Sequence, residues 1–240
     1  MPWAAMPNPP FLICDSDALI QFFIAKEFGP FRELKKSYCV QPVIVSEVEI
    51  EICSTKKFGN RFDAPLSKII SSGTIQVLDQ TSLQASLVGP VSHSGVANAT
   101  WASIQSLGAQ YRLHVGRGEA YTHAAAFLLG VPAMSNDRSA LVTLETNQFA
   151  VPSPVLRGFD LLVFSYQIGM LTEAECDSFR KSLLQAREGI PSAFKAASFA
   201  NGLKQFCPRL LDGSMPLLGA PACSGPSYTN QLLLSRTISP

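Results

Sequence analysis

The chain has 240 residues, of which 47% are hydrophobic and 15% charged, with a formal net charge of +1. That much apolar material is enough for one sizeable, well-filled domain and excludes an intrinsically disordered chain. The near-neutral balance also excludes a broad basic field, so any nucleic-acid partner has to be held by a local patch or only weakly.

Strand-like and helix-like segments alternate through the first three quarters. Phe11 to Cys14 is a short apolar run that predicts a buried strand, followed by a helix beginning near Ala18. Phe31 to Lys36 predicts a short helix, and Tyr38 to Val45 a second strand interrupted by Pro42. Another helix starts over Val48 to Ile52. Ile69 and Ile70 close a helical turn that Ser72-Gly73 breaks, and Thr74 to Leu78 alternates as a strand. Thr81 to Gln110 gives a blurred pattern, with Gly89-Pro90 as loop material and a helix expected over Ala97 to Leu107. Glu119 to Gly130 reads as a helix, Val131 to Met134 as a strand and Ser139 to Thr146 as a helix. Gly158 to Gly169 is rich in apolar residues. Thr172 and Glu175 form a capping box for a helix expected to run to about Glu188.

Beyond Gly189, Pro191, Pro208, Pro216, Pro221, Pro226 and Pro240 punctuate a Ser- and Gly-rich stretch. Residues 189–240 are therefore expected to form a poorly ordered tail with short helical pieces around Ala193 to Phe206. The alternation predicts an α/β fold, a doubly wound, mainly parallel sheet between helix layers, over residues 10–188. The six cysteines show no Cys-x-x-Cys pair, so reduced thiols are expected rather than a disulfide scaffold or structural zinc. Met1 to Pro7 lacks the basic and apolar regions of a signal peptide, and no apolar run approaches membrane-spanning length. The expectation is a soluble, cytoplasmic protein.

Acidic residues recur at the ends of apolar runs. Phe11 to Cys14 ends on Asp15-Ser16-Asp17, and Pro42 to Val45 leads into Glu47, Glu49 and Glu51. Glu119 opens an Ala-rich helix, and Val131 to Met134 ends on Ser135-Asn136-Asp137. Carboxylates at the C-terminal ends of parallel strands face one crevice. There they repel one another unless a divalent cation offsets their charge, which suggests Mg²⁺ or Mn²⁺ and phosphodiester chemistry. Helix capping explains Asp15, Asp17 and Glu119 without any metal, and Asp137 is also a plausible turn residue. Only their company argues for a site. Of the three glutamates after the second strand, Glu51 is preferred. Arg117 and Arg138 flank two of the acids and are candidate phosphate contacts, solvated surface positions being an equal reading.

In order, these segments resemble a PIN domain, the metal-dependent nuclease fold that includes the VapC-type toxins of bacterial toxin–antitoxin pairs. The matching elements are Asp15-Ser16-Asp17-Ala18-Leu19-Ile20, Val45 to Ile52 with Glu51 as the family's glutamate, Glu119 to Gly130, and Ser135-Asn136-Asp137. The resemblance covers roughly residues 10–185, with Thr81 to Gln110 longer than in a compact member. It implies a metal-dependent endoribonuclease in which Asp15, Glu51, Glu119 and Asp137 hold Mg²⁺ or Mn²⁺, mostly through water. Ser135 or Ser16 would support a carboxylate, with Asp17 close by as a fifth acid or a helix cap. RNA is the implied substrate, an antitoxin-like inhibitor a natural partner, and a homodimer a common state.

Two rivals accompany this reading. Asp15-Ser16-Asp17 also fits a phosphatase resembling the haloacid dehalogenase superfamily, with Asp15 as nucleophile, although a downstream lysine motif and late paired aspartates are missing. The other is a PIN-like domain retained as an RNA- or protein-binding module.

Overall fold

A computed structural model describes residues 11–38, 40–54, 60–87, 100–152 and 155–206. In chain order, β1 (Phe11–Cys14), α1 (Ser16–Ala25), α2 (Gly29–Tyr38), β2 (Gln41–Val45), α3 (Ser46–Ser54), α4 (Asp63–Ser71) and β3 (Gln76–Leu78) make the first half. Next come α5 (Gln80–Leu87), α6 (Trp101–Tyr111), α7 (Arg117–Leu129), β4 (Ala133–Met134), α8 (Arg138–Thr146), β5 (Val155–Leu156), α9 (Gly158–Gln167) and α10 (Glu173–Gln185). A 3₁₀ turn at Ser192–Phe194 and α11 (Phe199–Phe206) follow.

The strands form one five-stranded sheet in the order β3-β2-β1-β4-β5, and every pairing is parallel. Chain direction across the sheet reverses beside β1, because β2 and β3 extend to one side and β4 and β5 to the other. This is the topological switch point, where open α/β sheets form their ligand crevice. Every residue of β1 and β2 is buried, as central parallel strands covered on both faces require. Pro42 is accommodated because β2 pairs with β1 from Gln41 to Val43 but with β3 only from Val43 onward. At Pro42 only one side of the strand carries a ladder.

Helix boundaries follow local chemistry. Thr100 Oγ1 accepts the Ser103 N–H at 3.1 Å to start α6, and Gly130, at φ 63°, ends α7 in the left-handed region that a side chain disfavours. Thr172 and Glu175 cap α10 as expected: Glu175 Oε2 accepts the Thr172 N–H at 2.7 Å, and Thr172 Oγ1 accepts the Glu175 N–H at 3.3 Å. The helix ends at Gln185, short of Glu188. Helix α7 lies against β1, β2 and β4, which sets Glu119 at its first turn over the middle of the sheet.

The expected tail differs from the fold in one respect. Residues 189–206 belong to the packed domain: Ile190, Phe194, Phe199 and Leu203 are buried in the core. The Phe194 ring lies 4.9 Å from Phe159 and 5.5 Å from Phe199, and Arg180 donates to the Phe194 carbonyl at 3.1 Å. Burying each phenylalanine contributes about 1.5–3 kcal/mol, which outweighs the disorder that the local Pro, Ser and Gly content favours. The short helical pieces expected around Ala193 to Phe206 are present, and residues 207–240 lie outside the described residues. Among the described residues, no helix is long and apolar enough to cross a membrane.

Asp177 fastens this C-terminal segment. Its carboxylate accepts Arg180 Nε at 2.8 Å, Lys181 Nζ at 2.9 Å and the Phe199 N–H at 3.1 Å. Hydrogen bonds from Arg180 and Lys181 hold its pKa down, to about 2. A lowered carboxylate contributes stability above its unfolded pKa of 3.8, and that contribution is lost as pH falls through about 2. Asp177→Ala is expected to lower the urea midpoint, at a cost of about 1–3 kcal/mol for the lost charged hydrogen bonds. Thermal melts should show a constant gap from wild type above pH 4, closing between pH 4 and 2.

Candidate functional site

Three strand ends and one helix start contribute the acids. β1 delivers Asp15 and β2 leads into α3, whose second turn carries Glu51. β4 ends at the Ser135-Asn136-Asp137 turn, and α7 brings in Glu119. A cleft of about 670 Å³ opens over the switch point. Asp17, Glu51, Glu119 and Asp137 line it, and Asp15 lies fully buried beneath them.

Gly118 determines how closely these groups approach. A methyl group built on it would fall 2.1 Å from Glu51 Oε2 and 3.0 Å from Asp15 Oδ1. Glu51 and Asp15 thus meet against the one residue of α7 that presents no side chain. Glu47, the nearest alternative, turns elsewhere: it accepts the Ser46 hydroxyl at 3.0 Å and Gln105 Nε2 at 3.0 Å. Glu49 does not line the cleft, so Glu51 is the glutamate of this segment that faces it.

The second pair is Glu119 and Asp137. Asp137 caps α8, its Oδ1 accepting the Ser139 N–H at 2.7 Å, the Ser139 hydroxyl at 2.6 Å and the Ala140 N–H at 3.2 Å. It also hydrogen-bonds the Glu119 carboxyl. Burial works to raise Asp137, but the bonds from Ser139, Glu119 and Ala140 outweigh it and hold the group below its ordinary value. Burial first, and then the Asp137 charge, push Glu119 up to about 8. The proton of this pair therefore resides on Glu119 at neutral pH. Asp15 is raised well above the carboxylate range, first by burial and then by the charges of Asp17, Glu119 and Glu51. Burial also raises Asp17.

Polar partners brace the acids. Ser135 Oγ lies 3.5 Å from Asp15 Oδ2 and accepts the Asp137 N–H at 3.2 Å, tying β1 to the end of β4. The Asn136 N–H donates to both oxygens of Asp17, at 3.1 and 3.2 Å, so Asp17 acts as a strut while also lining the cleft. Asp15 Oδ1 has no hydrogen-bond partner among the described residues. His123, one turn beyond Glu119, is fully buried, and burial lowers its pKa to about 4, which keeps the imidazole neutral.

No family model matches the chain, no curated protein matches it, and no solved structure matches it. The site has to be read from its own chemistry.

The four sequence-derived acids come together, which makes a divalent cation a natural counter-ion. Three observations fit one: the orphaned Asp15 Oδ1, a glutamate that keeps its proton for want of a neutralising charge, and a glycine where a side chain would obstruct two carboxylates. Among the described residues, no three His, Cys, Asp or Glu side chains converge tightly enough to ligate one ion directly. A cation at this place would have to be held largely through water. Arg157 and the Glu188–Pro191 segment line the cleft without any signal in the sequence, and the contact of Gly118 with Glu51 and Asp15 is likewise visible only in the fold. The sequence shows no more than that small residues, Gly116 and Gly118, stand beside Glu119 and leave room for a substrate to approach. Of the two flanking arginines, Arg138 lines the cleft and Arg117 does not.

A carboxylic acid whose pKa rises on folding retains its proton in the native state and releases it in the unfolded chain. Stability then falls as pH rises from the unfolded value of 4.5 through about 8. In EDTA, the melting temperature is expected to decline across that window and to decline less in Glu119→Gln. Mn²⁺ should raise the melting temperature more at pH 8.5 than at pH 6, because binding the ion displaces the proton.

Proposed function

We propose that this protein is a metal-dependent endoribonuclease of the PIN-domain type, hydrolysing RNA phosphodiesters at Asp15, Glu51, Glu119 and Asp137. The observation that carries the reading is the convergence of these four acids at the switch point of an all-parallel 3-2-1-4-5 sheet, Asp15 and Glu51 against Gly118 and Glu119 beside Asp137. The order of acids along the chain and the elements that bear them match the resemblance drawn from the sequence. A bound Mg²⁺ or Mn²⁺ supplies a water of lowered pKa and offsets charge on the leaving oxygen. Asp15, Glu51, Glu119 and Asp137 are the residues that would hold the ion. Ser135 fixes Asp15 and the Asp137 backbone in one frame, and Asp17 secures the β4–α8 turn through Asn136.

The phosphatase reading needs Asp15 to attack phosphorus. Asp15 is fully buried beneath the acids that line the cleft, a placement that suits a group bracing a charged site better than one attacking a substrate, and it favours the nuclease. A toxin-like role, with an inhibitor placing a basic side chain among the carboxylates, fits the same acidic cleft. RNA is the substrate this assignment implies.

Cleavage of a mixed RNA pool tests the reading. Wild type should cut with Mg²⁺ or Mn²⁺ and stop cutting in EDTA. Asp15→Asn, Glu51→Gln, Glu119→Gln and Asp137→Asn should each lose about a hundredfold or more, the scale of removing metal-based charge stabilisation. Absence of metal-dependent cutting by a folded wild-type protein refutes the assignment. Gly118→Ala should lose activity on the same scale, because its new methyl displaces the end of the Glu51 side chain. Its fold should persist, and circular dichroism checks that.

A further inference from the structure

The cleft is not lined by acids alone. Arg138 and Arg157 line it together with Asp17, Glu51, Glu119, Asp137 and Glu188. Two guanidiniums thus share a cavity with five carboxylates. Neither guanidinium is ion-paired among the described residues, where the ion pairs are those of Asp177 with Arg180 and Lys181.

Both arginines arise at helix starts. Arg138 is the first residue of α8, after β4, and Arg157 immediately precedes α9, after β5. Asn136 locks these two helix starts together: its N–H binds Asp17, and its Oδ1 accepts the Gly158 N–H at 3.0 Å. Asp160 accepts the Arg157 N–H at 2.8 Å and fixes the other side of the turn. Both guanidinium stems therefore leave rigid points at the N-terminal ends of helices, where the peptide dipoles add positive potential.

We propose that Arg138 and Arg157 form a seat for a phosphate neighbouring the one held at the carboxylates, making this a cleft for a nucleic-acid strand rather than for a mononucleotide. The inference rests on the nuclease reading for the identity of its ligand. Guanidinium groups bind phosphate through paired N–H bonds, and two of them on a braced scaffold retain a second phosphate in fixed register with the first. A cavity of about 670 Å³ has room for more than the scissile group. The carboxylates repel a bare phosphate, so attraction to the two arginines is what allows a polyanion to enter an acidic cleft before the cation is shared with it. Arg138 and Arg157 are thus binding and positioning residues with no part in the bond-breaking step.

The test uses the full chain and a fluorescein-labelled single-stranded RNA nonamer, with Ca²⁺ in place of Mg²⁺, read by anisotropy over a salt series. Arg138→Ala and Arg157→Ala should each weaken binding about tenfold and reduce the salt slope by about one. Mn²⁺ affinity should be unchanged in both, and cleavage should show a raised KM with kcat near wild type. Arg138→Lys and Arg157→Lys, which keep the charge, should recover part of the loss and guard against a folding artefact. Wild-type affinity and salt slope in both alanine variants, with cutting intact, would overturn the arginine seat and leave the nuclease standing. Binding that depends on the arginines in a protein that never cuts would keep the seat and refute the nuclease. A wild type that neither binds nor cuts removes both.

Discussion

Asp15 stands at the C-terminal end of the central strand with no exposure to solvent, its Oδ1 beside Gly118 and its Oδ2 near Ser135. The geometry around it is tightly constrained. β1 is paired on both sides, so the position of Asp15 is set by β2 and β4 and cannot relax outward. Helix α7 crosses close enough to bring Gly118 against it only because that residue lacks a Cβ. Burial of one carboxyl among others disfavours its charged form, and it raises the pKa of both Asp15 and Glu119. The site therefore stores a demand for positive charge.

That demand is met unevenly by the protein itself. Asp137 is satisfied by the start of α8 and lies below its ordinary pKa, whereas Glu119, bonded to it, lies well above. Environments that push two neighbouring acids apart mark a place where protons and cations exchange, a property more common at functional sites than in structural ion pairs. Arg138 and Arg157 line the same cleft without ion-pairing to the acids among the described residues, and Asn136 and Asp160 pin the turns from which they arise.

Much of this could be read in the chain. Apolar runs of four or five residues ending in acids gave β1, β2 and their carboxylates, because fully buried parallel strands carry an uninterrupted apolar signal. The capping box of α10 and the glycine ending α7 were equally legible, being local backbone chemistry. β5 was not. Two residues beside Pro152 and Pro154 carry no periodicity, and their pairing with β4 is a tertiary matter. The contact of Gly118 with Glu51 and Asp15 escaped for a related reason: it is defined by what lies across the cleft, not by neighbours in sequence. The packing of residues 189–206 was misjudged because proline and serine content reports local flexibility, while Phe194 and Phe199 act through contacts with Phe159 and with each other.

The wall made by Glu188 to Pro191 connects α10 to the 3₁₀ turn, and Gln21 of α1 holds it by donating to the Gly189 carbonyl at 2.7 Å. All four acids precede that wall in the chain, Asp137 being the last of them. A ribosome releases residues from the N-terminus onward, so the acids emerge while the opposing wall is still being made. A nascent chain halted short of Pro191 lacks the Phe194 and Phe199 anchors as well, and leaves its acidic groove open along one side. The order of synthesis thus separates in time the appearance of the charged groups from the appearance of the surface that shapes what reaches them.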